Sequence, residues 1–480
     1  MSLVATFYLL LPPDSTFVGI LSDGVRYLLM AEHIAGTDQT VTGAQSAFHG
    51  SVFPPIYPMV LATTGADPAY SARLTALMFA VAAIPFAAWA RRELAMSHLS
   101  AALCVVAVWL SPFMLAAILS IHSESLFLVL VMAATLVSAF RPSPKTMITL
   151  GVIVGLAILT RTVGIALLPA LVVYLWRARS GKLWRLLAVA TPLLMVAAWE
   201  IYKRSTAIAD VAYTANLAEA LSSPLSWAMA TVWANVLALK LVGEASQLWL
   251  LALLLGLLAL PNLGRRLVQA KFDAIFVFAY LIIVFLWPFP EHMERFFIPL
   301  APFVLVYGLL EVTHWRPSWS LSWLAALIIV AQLPGLWSFA SRMQAAVPEA
   351  LAEYRPTPQF LRANSDEEAL ITAERLHRVV IAARSVAQSV EPGQCVYASL
   401  YELVFYYSRV STRPLQPVAE MTECRFVLAM ALEADGPGFD PMYPIFEALE
   451  FEPLWVSTDS QGKAVASLLD LQPTTTGGSR

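Results

Sequence analysis

Long apolar stretches separated by short polar clusters make up most of the first 340 residues of this 480-residue chain. A transmembrane helix needs about twenty consecutive apolar residues, so this pattern predicts an all-α polytopic membrane protein with about eleven spans. The first segment is short because Pro12-Pro13 closes it, which leaves open whether Met1 is the native start. The predicted segments are 3–12, 71–90, 98–120, 124–140, 146–160, 163–176, 184–202, 247–263, 273–289, 296–313 and 320–338.

Basic residues cluster in alternate loops between these segments. The clusters lie at 91–92, 141–145, 177–185, 265–271 and 316, and threading the segments through a membrane in turn brings them all to one side. By the positive-inside rule that side is the cytoplasm. The pattern therefore predicts a cytoplasmic N-terminus and places everything beyond about residue 340 outside.

The chain divides by composition into two predicted domains. Residues 1–344 form the transmembrane domain, with interfacial helices on the outer face at about 22–65 and 205–245. Residues 345–480 carry more charge and shorter apolar runs, and we predict a small α/β domain on the outer face. Its helical stretch at 372–390 precedes strand-like runs at 394–398 and 425–430, and its polar tail predicts disorder.

Composition and motifs exclude several classes of function. Only 13% of residues are charged, against roughly 25% in soluble proteins, and there is no basic stripe to indicate nucleic-acid binding. No nucleotide-binding or zinc-protease motif is present in the sequence, so an outward-facing enzyme would need a donor already activated in the membrane.

The chain has three cysteines. Cys395 and Cys424 form one disulfide in an oxidising compartment or remain two thiols, whereas Cys104 lies in an apolar run.

Asp23 opens an amphipathic stretch on the predicted outer face. Arg26, Tyr27 and Met30 follow at helical spacing on the same face. A partly desolvated carboxylate in such a place can act as a general base for a hydroxyl nucleophile. The alternative is a helix N-cap that satisfies backbone amides.

Three further charged residues stand beside apolar segments on the predicted outer side. Glu124 follows His122 at the start of a span, where it serves either a functional role or the helix dipole. Arg161 and Arg295 interrupt apolar sequence, and each either binds a phosphate or reaches lipid headgroups.

In order and spacing, several motifs of this chain resemble the GT-C superfamily of integral-membrane glycosyltransferases. The nearest relatives would be the protein-mannosyltransferase-like and aminoarabinose-transferase-like enzymes of bacteria, and the Ser-Glu-Ser-Leu-Phe motif is also similar to that of GPI mannosyltransferases. The resemblance covers roughly residues 1–345 and extends weakly to 397–402. Its motifs are Asp23-Gly24-x-x-Tyr27-Leu28-x-x-Ala31, 53–62, 65–74, 123–127, Thr160-Arg161-x-x-Gly164 and Arg295-Phe296-x-x-Pro299-x-x-Pro302.

The resemblance implies an enzyme of the bacterial inner membrane that takes a sugar from a polyprenyl-phosphate donor. Transfer to an acceptor hydroxyl of a lipid, glycan or protein would invert the anomeric centre, with Asp23 as the general base and Glu124 as the second acid. Gly24 stands where many relatives have another acid, which puts a paired-acid centre in doubt and leaves a divalent cation open. The predicted substrate-binding residues are Arg26, Tyr27, His122, Arg161, Arg295, Tyr401 and Glu402.

A lipid or solute transporter is the alternative from another class. Transporters usually contain inverted repeats and polar groups near the bilayer midplane. Here the polar groups gather at one face and the sequence has no visible repeat, which favours the glycosyltransferase.

Overall fold

Helices dominate the computed structural model of this protein, and four of the described helices are long and apolar enough to cross a membrane. These four are Pro68–Glu93, Lys182–Lys203, Leu251–Val268 and Leu321–Met343, and they identify an integral membrane protein. The structure describes residues 22–36, 53–178, 181–205, 223, 225–234, 249–287, 293–354, 365–398, 400–415, 421, 423–430, 453–460, 462 and 464–471.

The chain forms two compact units. The first unit is built from the helices between residues 50 and 341, and the second unit takes the helix at 22–35, residues 65–68 and the chain from Arg342 onward. The helix that carries Asp23 is therefore grouped with the C-terminal part of the chain.

The helices of the first unit follow the predicted apolar segments. Every predicted segment from 71–90 to 320–338 contains at least one helix, while segment 3–12 lies outside the described residues. The helices are α2 Ile56–Ala62, α3 Pro68–Glu93, α4 His98–Trp109, α5 Pro112–Ala117, α6 Glu124–Ser138, α7 Pro144–Ile158, α8 Leu167–Arg177, α9 Lys182–Ser205, α10 Leu225–Ala234, α11 Trp249–Val268, α12 Phe272–Phe285, α13 Met293–Phe297, α14 Ala301–Trp315 and α15 Leu321–Met343.

Several of these helices are too short to span a bilayer alone, and local sequence explains where they end. Segment 98–120 breaks between α4 and α5, where Ser111 caps a new helix through the backbone amide of Met114 and Pro112 occupies its first turn. Segment 163–176 begins with a 3₁₀ helix at Thr162–Ala166 before α8. The predicted number of about eleven spans therefore stays a prediction.

The second unit combines α1 Ser22–Ala35 with a small α/β fold. A 3₁₀ helix at Glu349–Tyr354 leads to α16 Asp366–Ser389, which Ser365 caps through the amide of Glu368. The helix α17 Tyr401–Ser408 connects the two parallel strands β1 Cys395–Ala398 and β2 Ser411–Pro414. The other strands are β3 Phe426–Met430, β4 Pro453–Thr458 and β5 Ala464–Asp470.

The five strands form one mixed sheet in the order β2-β1-β3-β5-β4. The first three strands are parallel, and β5 is antiparallel to both β3 and β4. Five consecutive residues of β3 are buried, as expected for a central strand. This confirms the predicted α/β character of the C-terminal part, although α17 and β2, β4 and β5 were not predicted individually.

Cys395 and Cys424 are joined by a disulfide, with 4.9 Å between their Cα atoms. Cys395 opens β1 and Cys424 precedes the neighbouring strand β3, so the bridge links adjacent strands in the second unit. Tyr397 and Val427 pack in the same buried cluster as Cys424. The sequence left open whether these two cysteines form a disulfide or remain free thiols, and the structure has the disulfide.

Candidate functional site

Glu124 is the first residue of α6, one of the helices of the apolar first unit. Its side chain is 1% exposed, and the neighbouring Ser123 and Ser125 are fully buried. His122, 5% exposed, lies close enough to interact electrostatically with the Glu124 carboxylate. A carboxylate this deeply buried needs compensating charge, since an isolated ion in an apolar interior is strongly unfavourable.

Two arginines supply that charge. Arg161 joins α7 to the following 3₁₀ helix, and its Nη1 forms an ion pair with Oε1 of Glu124. Arg295, in the short helix α13, places its Nε 3.7 Å from the same oxygen. Both arginine side chains are nearly buried, with 12% and 14% of their surface exposed. Two guanidinium groups thus converge on one carboxylate.

Further contacts fix the orientation of Arg161. Its Nη1 lies 3.2 Å from Oγ of Ser123 and donates a hydrogen bond to it. Its guanidinium carbon lies 5.1 Å from the centre of the Phe296 ring, within the range of a cation–π interaction. Ser123 and Phe296 are the sequence neighbours of Glu124 and Arg295. Arg161 therefore contacts both of the chain segments that carry the other charged residues of the cluster.

Tyr280 of α12 also belongs to this site, although no motif in the sequence singles it out. The residue is 1% exposed, stacks on Phe127 with 6.1 Å between ring centres, and interacts electrostatically with Arg161 and Glu124. It stands inside the apolar segment 273–289, where one tyrosine among aliphatic and aromatic residues resembles ordinary core packing. We call Glu124, Arg161, Arg295 and Tyr280 the first-unit cluster.

A second group of predicted residues comes together within the second unit. Arg26 of α1 forms an ion pair with Glu402 of α17, and its Nη2 donates a hydrogen bond of 2.9 Å to Oη of Tyr401. Burial raises the pKa of the Tyr401 hydroxyl, and the Glu402 carboxylate raises it further, so this hydroxyl stays protonated at neutral pH. Tyr27, the neighbour of Arg26, is 4% exposed.

Asp23 lies in the first turn of α1, about one helical turn before Arg26. Its side chain is half-buried, and its charge acts on the guanidinium of Arg26. At the other end of α1, both oxygens of Glu32 accept hydrogen bonds of 2.8 Å from Arg409, which follows α17. The predicted amphipathic helix at Asp23 is confirmed, and it carries an ion pair on each side of its centre.

The structure therefore sorts the predicted site residues into two groups. Glu124, Arg161, Arg295 and His122 meet in the first unit, and Asp23, Arg26, Tyr401 and Glu402 meet in the second. Among the residues that the structure describes, no three His, Cys, Asp or Glu side chains are grouped closely enough to hold a metal ion.

Comparison with solved structures identifies the fold. ArnT from Cupriavidus metallidurans in the apo state is similar over 97% of this chain and 96% of that chain, with 15% sequence identity and a TM-score of 0.52. At this identity the similarity shows a shared fold.

Other solved structures are similar more remotely. The same ArnT bound to undecaprenyl phosphate matches with 14% identity, 97% and 96% coverage and a TM-score of 0.49. The archaeal oligosaccharyltransferase AglB from Archaeoglobus fulgidus, in complex with an inhibitory peptide and a dolichol-phosphate, matches with 11% identity and a TM-score of 0.47. That similarity covers 90% of this chain and 69% of AglB. No family model and no curated protein matches the sequence.

Proposed function

We propose that this protein is a membrane glycosyltransferase that transfers a sugar from a polyprenyl-phosphate donor to an acceptor hydroxyl on the outer face of the membrane. The observation that carries the proposal is the convergence of Arg161 and Arg295 on the buried carboxylate of Glu124. The fold shared with ArnT supports the same class of enzyme.

The first-unit cluster has the charge and geometry that a lipid phosphate requires. A guanidinium presents its donors as a planar fork that matches two phosphate oxygens. Electrostatic attraction is stronger in an apolar surrounding than in water, and both arginines are nearly buried. Two guanidinium groups that converge in this way can together bind the oxygens of a phosphate monoester or diester.

In the proposed reaction, Asp23 accepts the proton of the acceptor, and the two arginines stabilise the negative charge that develops on the leaving phosphate. The Asp23 carboxylate takes the proton of the acceptor hydroxyl while the hydroxyl oxygen attacks the anomeric carbon of the donor. The bond between that carbon and the phosphate oxygen breaks, and its electron pair leaves with the polyprenyl phosphate. Attack opposite the leaving group inverts the anomeric centre. Arg161 and Arg295 stabilise the negative charge on the departing phosphate, and Glu124 keeps the two guanidinium groups in place.

The proposal separates binding from chemistry, and one set of variants tests both. Purified protein in detergent receives polyprenyl phosphate, or polyprenol as the uncharged control, and binding is measured by thermal shift and by titration. We expect wild type to bind the phosphate alone, Arg161→Gln and Arg295→Gln to weaken binding at least tenfold, and Asp23→Asn to bind normally. Arg141→Gln, at an exposed position on the predicted cytoplasmic side, is the matched control.

Transfer is then measured with polyprenyl-phosphate hexoses and pentoses labelled in the sugar. Removing a general base typically lowers the rate about 10²- to 10⁴-fold, so Asp23→Asn should bind donor but transfer little. Equal binding of polyprenol and polyprenyl phosphate would contradict the phosphate site. Undiminished transfer by Asp23→Asn would contradict the assignment of the base. Movement of labelled lipid across proteoliposomes without transfer would instead support the transporter.

A further inference from the structure

The helix α1 is attached to α17 at two points along its length. Arg26 pairs with Glu402 and Tyr401 near the start of α1, and Glu32 pairs with Arg409 near its end. The two attachment points are six positions apart, which corresponds to about 9 Å along a helix. Two attachments this far apart fix both the position of α1 along α17 and its rotation about its own axis.

The pair nearer to Asp23 is also the more deeply buried one. The side chain of Glu402 is 2% exposed and that of Arg26 is 24% exposed, whereas the values for Glu32 and Arg409 are 12% and 38%. A buried carboxylate that loses its cation is strongly unfavourable, so any displacement of α1 that separates Arg26 from Glu402 is resisted. The Nε and Nη2 groups of Arg26 both point to α17, to Glu402 and Tyr401 respectively.

We propose that Arg26, Tyr401 and Glu402 are positioning residues that hold the general base in place, so that the C-terminal part of the chain takes part in catalysis. This inference rests on the proposed function, since it takes Asp23 as the base. Asp23 and Arg26 are one turn apart on the same helix, so the contact that fixes Arg26 also fixes the Asp23 carboxylate. Glu402, which lies 376 positions after Arg26 in the sequence, thereby helps to set the position of the Asp23 carboxylate.

This role differs from the substrate-binding role that the sequence predicted for the same three residues, which stays a prediction. A substrate ligand would change the Michaelis constant of the donor or the acceptor when it is removed. A positioning residue changes the turnover number, because a displaced base reacts slowly with substrates that are normally bound. Loss of a substrate ligand therefore changes KM, whereas loss of a positioning residue changes kcat.

The test begins with Glu402→Gln, which removes the charge and keeps the shape. We expect kcat to fall about 10- to 100-fold, because a misplacement of about 1 Å can cost a factor of that size, while KM for donor and acceptor stays within about twofold. Arg26→Lys keeps the charge and should retain more activity than Arg26→Gln. Tyr401→Phe removes a single hydrogen bond and serves as the mild variant where Glu402→Gln does not fold.

The matched control is Asp459→Asn. Asp459 is a buried acid of the same unit that pairs with Arg375 at 3.3 Å, and neither residue belongs to α1 or α17. We expect this variant to lower thermal stability and leave kcat unchanged. An equal loss of kcat in Glu402→Gln and Asp459→Asn would show a general loss of folding and overturn the proposal.

A distance measurement reads the position of α1 directly. Spin labels at the exposed positions Ile34 on α1 and Ile381 on α16 report their separation by pulsed electron spin resonance. The distance distribution should be narrow in the otherwise native chain and broad in Glu402→Gln. An unchanged distribution together with an unchanged kcat, or a raised KM at constant kcat, would overturn the positioning role.

Failure of this inference is distinguishable from failure of the proposed function. If Asp23→Asn transfers sugar normally, the assignment of the base is wrong and the positioning role falls with it. If Asp23→Asn is inactive and Glu402→Gln keeps its full kcat, the function stands and only the positioning role is wrong.

Discussion

At the scale of single residues, the arrangement around Glu124 explains why a charged side chain is kept inside an apolar unit. The carboxylate holds Arg161 and Arg295 together before any ligand arrives. Without it, two nearly buried guanidinium groups would repel each other across a short distance. In the proposed function a phosphate would supply negative charge to the same pair of arginines, so the phosphate and this carboxylate can partly substitute for each other.

Removing the charge of Glu124 tests whether a phosphate can substitute for this carboxylate. We expect Glu124→Gln to lower the free energy of unfolding by about 3–5 kcal/mol, the usual effect of removing one partner from a buried ion pair. Added polyprenyl phosphate should restore stability, so that its thermal shift is larger in Glu124→Gln than in wild type. The measurement is the melting temperature in detergent with and without the lipid.

Glu311→Gln provides the matched control for this prediction. Glu311 is also 1% exposed and pairs with an arginine, Arg265, in the same unit. Its removal should lower stability without any rescue by polyprenyl phosphate. Equal rescue of both variants would mean that the lipid stabilises the protein through its hydrocarbon chain and would contradict the phosphate site.

At the scale of elements, the sequence predicted the helices better than their contacts. Runs of apolar residues are a local property, so the segments between residues 71 and 338 were found, although the break at Pro112 within segment 98–120 was not predicted. The pairing of Arg26 with Glu402, 376 positions away, depends on the complete fold and left no local signal. Tyr280 was missed for the same reason, since its partners are far from it in sequence.

Close helix contacts in the first unit depend on the absence of side chains at particular glycines. At Gly151 of α7, an added Cβ would lie 2.4 Å from the backbone oxygen of Ala188 in α9. A carbonyl oxygen of a helix cannot move aside as a flexible side chain can, so the two helices would have to separate. Small residues allow this kind of close backbone approach between membrane helices.

We therefore expect Gly151→Ala to destabilise the protein by about 1–3 kcal/mol, the range typical of overpacking. Gly256→Ala is the matched control, because an added Cβ at Gly256 of α11 meets nothing within 4 Å. This control should be neutral or slightly stabilising, since alanine favours helix over glycine by about 1 kcal/mol. Similar melting temperatures for the two variants would contradict the close packing of α7 and α9.

At the scale of the whole molecule, the disulfide and the charge pattern lead to the same prediction about orientation. Disulfides persist in oxidising compartments, and the bridge between Cys395 and Cys424 lies in the second unit. The basic loops independently predict that this part of the chain lies outside the cytoplasm. The chain alone contained both signals, but two cysteines in a sequence do not reveal that they pair, which depends on β1 and β3 being neighbours in the sheet.

Labelling of single cysteines in intact spheroplasts tests this orientation. Gln388→Cys on α16 and Lys182→Cys at the start of α9 both occupy exposed positions, but we predict that they lie on opposite sides of the membrane. A membrane-impermeant maleimide should label the first variant in intact spheroplasts and the second only after lysis. The reverse result would place the second unit in the cytoplasm, where Asp23 could not meet an acceptor on the outer face.

The same compartment should make the disulfide important for stability. Its cysteines are separated by 29 positions, and closing a loop of that length stabilises a fold by about 3–4 kcal/mol through the lower entropy of the unfolded chain. Cys395→Ser should therefore lower the melting temperature of the second unit, as read by proteolysis at increasing temperature. Cys104→Ser, which changes a free cysteine of the first unit, should not affect the second unit.

The disulfide should also affect catalysis, because α1 is attached to α17 of the second unit. We expect Cys395→Ser to lower kcat at temperatures where the second unit unfolds. Binding of polyprenyl phosphate to the first-unit cluster should persist at those temperatures.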